Sequence, residues 1–253
     1  MTAPGSGVPD GREHYSYTHY ASQSVAEGFD ALRFSGDVGQ FLLEQQAALL
    51  AAALAPLPGR RIADVGTGTG RAAIGLARLG AQVVGFDASA EMLGVARTRA
   101  ADAGVSIPFS VGDAHALPLP DRDVDAAVCL RVLMHAIDWE RCLAELCRVS
   151  KSRVIFDFPS ASSAAAIESA VRRARLRRGH KVEAYRVFSE REISSALARQ
   201  GFHIVDIRRQ FVLPIALHKA IGRFGITRRI ERGLEIAGAL RLFGSPITVV
   251  AER

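Results

Sequence analysis

The nine residues IADVGTGTG, Ile62 to Gly70, set the first constraint on this chain. A short apolar run carries an acid, Asp64, and then three glycines, Gly66, Gly68 and Gly70, interleaved with threonine. Glycines placed after a strand and before a helix bring backbone N–H groups and a helix N-terminus close to a ligand that side chains would hold away. A Walker loop is excluded, because Arg71 and not Lys-Ser or Lys-Thr follows Gly70. The spacing is G-x-G-x-G, whereas a dinucleotide fingerprint requires G-x-G-x-x-G. Taken alone, the loop serves equally as a tight turn.

Outward from this loop, apolar runs alternate with helical periods. RIADVG reads as a strand, 70–79 as a helix, QVVGFD as a strand, 90–103 as a helix and SIPFSVG as a strand. The pattern continues with the strand DVDAAVCL, a helix over 138–149 and the strand SRVIFDF. Parallel neighbours need a long return path, so this rhythm predicts an α/β fold, a three-layer sandwich around a mostly parallel sheet. After Pro159 the rhythm changes: an Ala/Ser/Arg-rich helical segment spans about 162–179. Ser189 and Glu192 form a capping-box signature for a helix over 190–200. FHIVDIRRQFV is a strand, about 30 residues of mixed helical character (214–243) follow, and Ser245-Pro246 introduces the last strand, ITVVAE. The last two strands are placed to pair antiparallel. Before the loop, a helix runs from about Val38 to Leu54 and stops at Pro56 and Pro58.

The 253 residues, 49% of them hydrophobic, suffice for one substantial core. The expected organisation is a tail and lid over 1–36 and one domain over 37–253, with helical insertions at about 160–188 and 212–245. No apolar stretch approaches the ~18 to 20 residues that span a bilayer, and the N-terminus lacks the apolar core of a secretory signal. Cytoplasmic placement is expected. Cys129, Cys142 and Cys147 make no CxxC pair and read as buried structural thiols, with no metal site. The formal charge of +6 suits an anionic ligand or surface, but spread over the chain it reads first as solvation.

With the flanking elements included, the loop resembles the first motif of class I S-adenosylmethionine-dependent methyltransferases, D-x-G-x-G-x-G. VVGFDAS (83–89) ends a second strand in Asp87, where a carboxylate can accept hydrogen bonds from both hydroxyls of a ribose. DASAEMLGVA resembles the family's D-x-S-x-x-M-L-x-x-A, and VGDAHALPLPDRDVDAAVCL (111–130) resembles its G-D-A-x-x-L-P-(F/L)-x-D-x-x-F-D-x-V, with Val124 in place of the usual aromatic. RVLMHAID (131–138) is similar to the segment after the family's fourth strand. These matches, in order, span roughly residues 60 to 160.

The resemblance implies a Rossmann-like fold with a seven-stranded sheet whose last strand is antiparallel, and S-adenosyl-L-methionine as cofactor. It places the loop residues Gly66, Thr67, Gly68 and Gly70 beside the methionine portion of that cofactor. Asp64 would support its ammonium group and Asp87 the ribose, with Ala88 a further cofactor contact. Met92 would pack on the adenine, Asp113 bond its exocyclic amine with Ala114 beside the ring, and Leu130 and Arg131 face the methionine part. On their own spacing Asp87 reads also as a helix cap, Met92 as core, and Asp113 with His115 as a polar turn. His135 is the candidate general base for an acceptor hydroxyl, or a packed structural histidine.

The segment REHYSYTHYA (12–21) followed by VAEGFDALRFS resembles the aromatic lid of small-molecule methyltransferases of the quinone-biosynthesis type. Tyr20 and Arg33 are its candidate cofactor contacts, while Phe29 stands where that register usually has Tyr. The implied activity is methyl transfer to O, C or N of a small-molecule acceptor, aromatic or lipid-like. Nucleic acid is disfavoured, since CLRV is neither an Asn/Asp-Pro-Pro-Tyr loop nor followed by a Pro-Cys nucleophile. RRARLRRGHK (172–181) carries six Lys/Arg in ten residues and reads first as a solvated helix face, with an acidic or phosphorylated acceptor, an anionic lipid surface and, behind these, RNA or DNA as the alternatives. Two other readings compete. A NAD(P)-dependent oxidoreductase would share the sheet and Asp87, but no tyrosine has Lys four residues on. A non-catalytic binding module on the same fold would not need the set Asp64, Asp87 and Asp113.

Overall fold

The structure, a computed structural model, describes residues 36–180, 182 and 185–253. Its strands are β1 (Arg61–Val65), β2 (Gln82–Asp87), β3 (Phe109–Val111), β4 (Val124–Cys129), β5 (Ser150–Phe158), β6 (His203–Phe211) and β7 (Ser245–Glu252). The helices are α1 (Gly36–Ala53), α2 (Arg71–Arg78), α3 (Ala90–Asp102), α4 (Trp139–Val149), α5 (Ala164–Arg177), α6 (Glu190–Arg199), α7 (Ile215–Ile221), α8 (Phe224–Ile236) and α9 (Ala239–Phe243). The strands form one sheet in the order β3-β2-β1-β4-β5-β7-β6. The pairs β1–β2, β2–β3, β1–β4 and β4–β5 are parallel, and β7 runs antiparallel between β5 and β6. The expected fold class holds. β1 has β2 on one side and β4 on the other, so the strand order reverses there, and the crevice at the carboxyl ends of these strands is where open α/β sheets bind ligands.

Alternation along the central strands sorts the core onto two faces. Ala126 and Val128 of β4 join Ile62, Val83 and Ile155 under α1, α2 and α3, whose Leu50, Leu76, Leu93 and Ala96 cover them together with Leu54 just past α1. Ala127 and Cys129 join Val65, Phe156 and Phe158 under α4 and α6, through Leu143, Leu146, Ile193 and Leu197. Each such leucine or isoleucine contributes about 1.5 to 3 kcal/mol by leaving water. Strands apolar on both faces are what a sheet covered by helices on both sides requires.

Helix starts follow their caps. Ser89 Oγ accepts the Met92 N–H (3.1 Å), Asp138 Oδ1 accepts the Arg141 N–H (3.0 Å), and Ser189 with Glu192 forms the capping box anticipated for α6. β3 is shorter than its apolar pattern: only Phe109–Val111 pairs, at the sheet edge, because Pro108 has no N–H to give and Gly112 follows. The three thiols are buried and free; hydrogen bonding with Cys142, then burial, holds the Cys129 thiol well above its ordinary range. Burial pushes Cys147 up to about 12, so these are inert core groups.

Two helical excursions stand on the carboxyl side of the sheet. The first carries α5 and returns to β5 level through the Ser160–Phe188 bridge. The second, α7 to α9, is anchored by Glu231 of α8, which is buried and accepts the N–H groups of Val212 (2.9 Å) and Leu213 (2.8 Å) and contacts His218 Nε2 (3.1 Å). A buried carboxylate with these partners fixes the turn that follows β6. Among the described residues no helix is long and apolar enough to cross a membrane.

Candidate active site

The glycine loop joins β1 to α2 in left-handed backbone: φ is 70° at Gly66, 56° at Gly68 and 79° at Gly70. Two of these glycines answer different demands. A Cβ on Gly66 would lie 2.1 Å from Val132 Cγ2, so the loop packs against the chain leaving β4. A Cβ on Gly68 would meet nothing within 4 Å: there the loop faces open space, and only the positive φ selects glycine. The N–H groups of Gly66 and Thr67 both bond the Phe86 carbonyl (2.7 and 2.9 Å), which ties the loop to β2.

Asp64, one residue before the end of β1, is buried. Its Oδ2 accepts the Thr67 hydroxyl (2.7 Å) and the Ala73 N–H (3.2 Å). Desolvation pushes its carboxyl up to about 6, against the lowering effects of the Thr67 bond and the Arg71 charge. Asp87 ends β2; Oδ2 accepts the Gly68 N–H (2.8 Å) and Oδ1 the Ser89 N–H (2.9 Å). Burial raises it too, although these N–H groups oppose the shift. The helix cap is Ser89, not Asp87, so one bland reading of Asp87 falls away.

Asp64 and Asp87 line one cavity together with Gly66, Thr67, Gly68, Ala88, Met92, Ala114, Leu130, Arg131 and His135. Gly70 turns instead against Ala96 and Phe109. Met92 is both core and wall, only 3% exposed yet lining the cavity. Asp113 is placed differently from the other two acids. The wall is formed by its neighbours Gly112, Ala114 and His115, while the Asp113 Oδ1 takes the N–H of His115 (2.9 Å) and meets its Nδ1 (2.7 Å). Burial alone would raise Asp113, but the His115 bonds outweigh it and hold the carboxyl below its ordinary value. Asp138 N–H lies 3.3 Å from His115 Nε2, so the ring bridges Asp113 and the start of α4. His135 ends a 3-10 turn (Leu133–His135) in the cavity wall. Tyr20 and Arg33 lie outside the described residues.

Three further participants were not among the site residues expected from the sequence. Arg71 and Val132 line the same cavity. Asp157, one residue before the end of β5, is 4% exposed and accepts the Arg131 N–H at 2.5 Å. That bond holds Arg131 at φ 62°, a left-handed conformation costing a side-chain-bearing residue about 1 to 2 kcal/mol. An acid at the tip of a parallel strand was the available signal for Asp157, as for Asp64 and Asp87. Beyond Arg131 lies a second cavity, which that arginine also lines, walled by Met134, Asp157, Phe158, Tyr185, Phe211 and the segment 212–216.

Comparison with known proteins agrees with this geometry. Residues 63–156 match the family described as a methyltransferase domain. The chain is 41% identical over 145 residues to a demethylmenaquinone methyltransferase of Deinococcus radiodurans, covering 55% of this chain and 59% of that one. It is 39% identical over 83 residues to a ubiquinone biosynthesis O-methyltransferase of Sinorhizobium fredii, covering 33% and 34%. The chain thus matches well under two thirds of the length of these curated relatives. Among solved structures, magnesium protoporphyrin IX methyltransferase from Synechocystis with bound SAH superposes with a TM-score of 0.63 at 21% identity over 96% of this chain and 97% of that one. The [4+2]-cyclase SpnF superposes with a TM-score of 0.68, also at 21% identity, over 98% and 99%. At such identities the likeness speaks for the fold alone. Over residues 63–156, the strands and loops that build the first cavity, this chain is similar to the family described as a methyltransferase domain.

Proposed function

We propose that the chain is an S-adenosyl-L-methionine-dependent methyltransferase acting on a small-molecule acceptor with an apolar, ring-bearing body. The observation that carries this reading is that Asp64 and Asp87, at the tips of adjacent strands, line one cavity with the left-handed glycine loop. The residues present fit the cofactor. Asp87 offers carboxylate oxygens to ribose hydroxyls, and Ala88, Met92 and Ala114 form an apolar slot for a nucleobase. Asp64, with the open backbone of Gly68, suits the cationic amino-acid end. Asp113 acts in this reading through His115, which it orients in the wall beside Ala114. Tyr20 and Arg33 keep the lid role that the resemblance implies.

A sulfonium methyl is already electrophilic, so the protein's task is to align the nucleophile and exclude water; alignment contributes about 7 to 11 kcal/mol. The second cavity, reached past Arg131, is the place for the acceptor, and His135 is a candidate proton acceptor on the cofactor side. The quinone-pathway names of the relatives favour a ring-bearing acceptor. Cytoplasmic placement and peripheral contact with anionic lipid through 172–181 complete the reading. Exposed Ile167 and Val171 beside the arginines of α5 support the lipid contact, and co-sedimentation with phosphatidylglycerol vesicles checks it.

Calorimetric titration tests the function. Wild type is expected to bind S-adenosylmethionine and S-adenosylhomocysteine, and Asp87→Ala to weaken both by about a hundredfold, the loss of hydrogen bonds to a charged group. Tight NAD binding in their place would transfer the site to the oxidoreductase reading.

A further inference from the structure

Asp157 is the buried acid that the cofactor site leaves unused. The register β4–β5 pairs Cys129 with Phe156, so Asp157 stands level with Leu130, at the point where the chain turns into Arg131. Arg131 lines both cavities, and Asp157 lines the second. The carboxylate therefore sits at the junction a methyl group must cross. Around it the second cavity is largely apolar, with Met134, Phe158, Phe211, Leu213 and Ile215 in its walls.

The other acid in that cavity is already engaged. Glu168 pairs with Arg172 (2.8 Å), and the Tyr185 ring beside it has its hydroxyl bonded to the Ala165 carbonyl (3.2 Å). The N–H groups of Arg131 and of Asp157 itself occupy part of the roughly four acceptor positions of the Asp157 carboxylate. A buried carboxylate with remaining acceptor capacity, set in an apolar chamber, selects for a ligand that brings a donor.

We infer that the second cavity takes the acceptor as a hydroxyl compound, an apolar ring system bearing a phenol or enol O–H, and that the Asp157 carboxylate receives its proton. This rests on the methyltransferase reading. The acceptor oxygen forms the new O–C bond while the C–S bond breaks; its electron pair stays on sulfur, which leaves as the neutral thioether. The hydroxyl proton moves to Asp157 and later to solvent. Burial holds the Asp157 carboxyl above its ordinary value, against the opposing charges of Arg131 and Arg71, which makes it a stronger base than an exposed aspartate. The methyl ether formed has no O–H to donate, so the product loses the contact that held the substrate.

The test is equilibrium binding of 1-naphthol and of its methyl ether to the full chain without cofactor. Wild type is expected to prefer the naphthol by about tenfold, the value of one hydrogen bond to a charged acceptor. Asp157→Asn keeps an oxygen for the Arg131 N–H and removes the charge, and is expected to reduce the preference to about twofold. Its affinity for S-adenosylhomocysteine should stay at the wild-type level, which reports that the fold is intact. Turnover of naphthol with labelled cofactor should then fall by about a hundredfold, within the range of general-base catalysis. Ala165→Phe, filling the wall, should abolish binding of both compounds and spare the cofactor. Equal binding of naphthol and ether by wild type, binding of neither, or a preference that survives in Asp157→Asn overturns the inference; so does methylation confined to carbon or nitrogen acceptors. Naphthol preference without S-adenosylmethionine binding would instead overturn the methyltransferase reading and leave the hydroxyl site standing.

Discussion

The two cavities are built from different material. The first is made by backbone: a loop of left-handed glycines, with the carboxylates of Asp64 and Asp87 fixed by the Thr67 hydroxyl and by N–H groups of the loop, the first turn of α2 and Ser89. The second is made by side chains drawn from β5, α5, Tyr185 and the turn after β6, brought together only when the sheet closes around β7. A backbone-built site tolerates almost no change at its turns but fits one constant ligand. A side-chain-built site can be rewritten residue by residue, which is what a variable acceptor demands.

The sharpest way to break the comparison is within the loop itself. Gly66→Ala puts a Cβ 2.1 Å from Val132 Cγ2. Cofactor affinity should fall by more than about a hundredfold, with a stability loss of about 3 kcal/mol, as for overpacking added to a positive φ. Gly68→Ala meets open space and carries only the conformational cost of its φ of 56°, so the loss should be about tenfold, or 1 to 2 kcal/mol. Calorimetry and thermal unfolding of the two variants side by side read both effects. If Gly68→Ala proved the more damaging, the loop would be packed otherwise than described.

A gentler test uses pH. Asp64 is raised to about 6 in the fold from 3.8, so its protonated form is the one the fold favours. That contribution to stability is complete below about pH 4 and is lost as pH rises through about 6, a loss of about 3 kcal/mol. Ligand-free Asp64→Asn should accordingly be more stable than wild type at pH 8 and indistinguishable from it near pH 4. A cationic cofactor reverses the preference, because it pairs with the ionised carboxylate. Affinity in wild type should therefore rise between pH 5 and 7, with release of a proton, and stay flat in Asp64→Asn. A wild-type profile as flat as the variant's would remove Asp64 from the ammonium end.

The same contrast explains what could be read before the structure. Asp64, the glycine loop and Asp87 were legible because a strand, a tight turn and a helix impose fixed spacing on the residues that shape them. Asp113 was legible as a position but not as an orientation: a carboxylate two residues from an N–H readily turns back onto its own backbone, and here it takes His115. Asp157 carried the strand-tip signature without a glycine turn after it, so nothing local marked it out among β5 residues. The walls around it, from Met134 to Phe211, are ordinary apolar residues whose meeting depends on tertiary closure. Cys129, Cys142 and Cys147 were legible for the opposite reason, since apolar surroundings in a strand and a helix foretold burial.

Crystallography of the chain with S-adenosylhomocysteine tests the division of labour most directly. The adenosyl group should lie in the first cavity with its ribose on Asp87, and the sulfur should face Arg131 and the mouth of the second cavity. A ribose bound away from Asp87, or an adenosyl group lodged against Asp157 and Phe211, would contradict it.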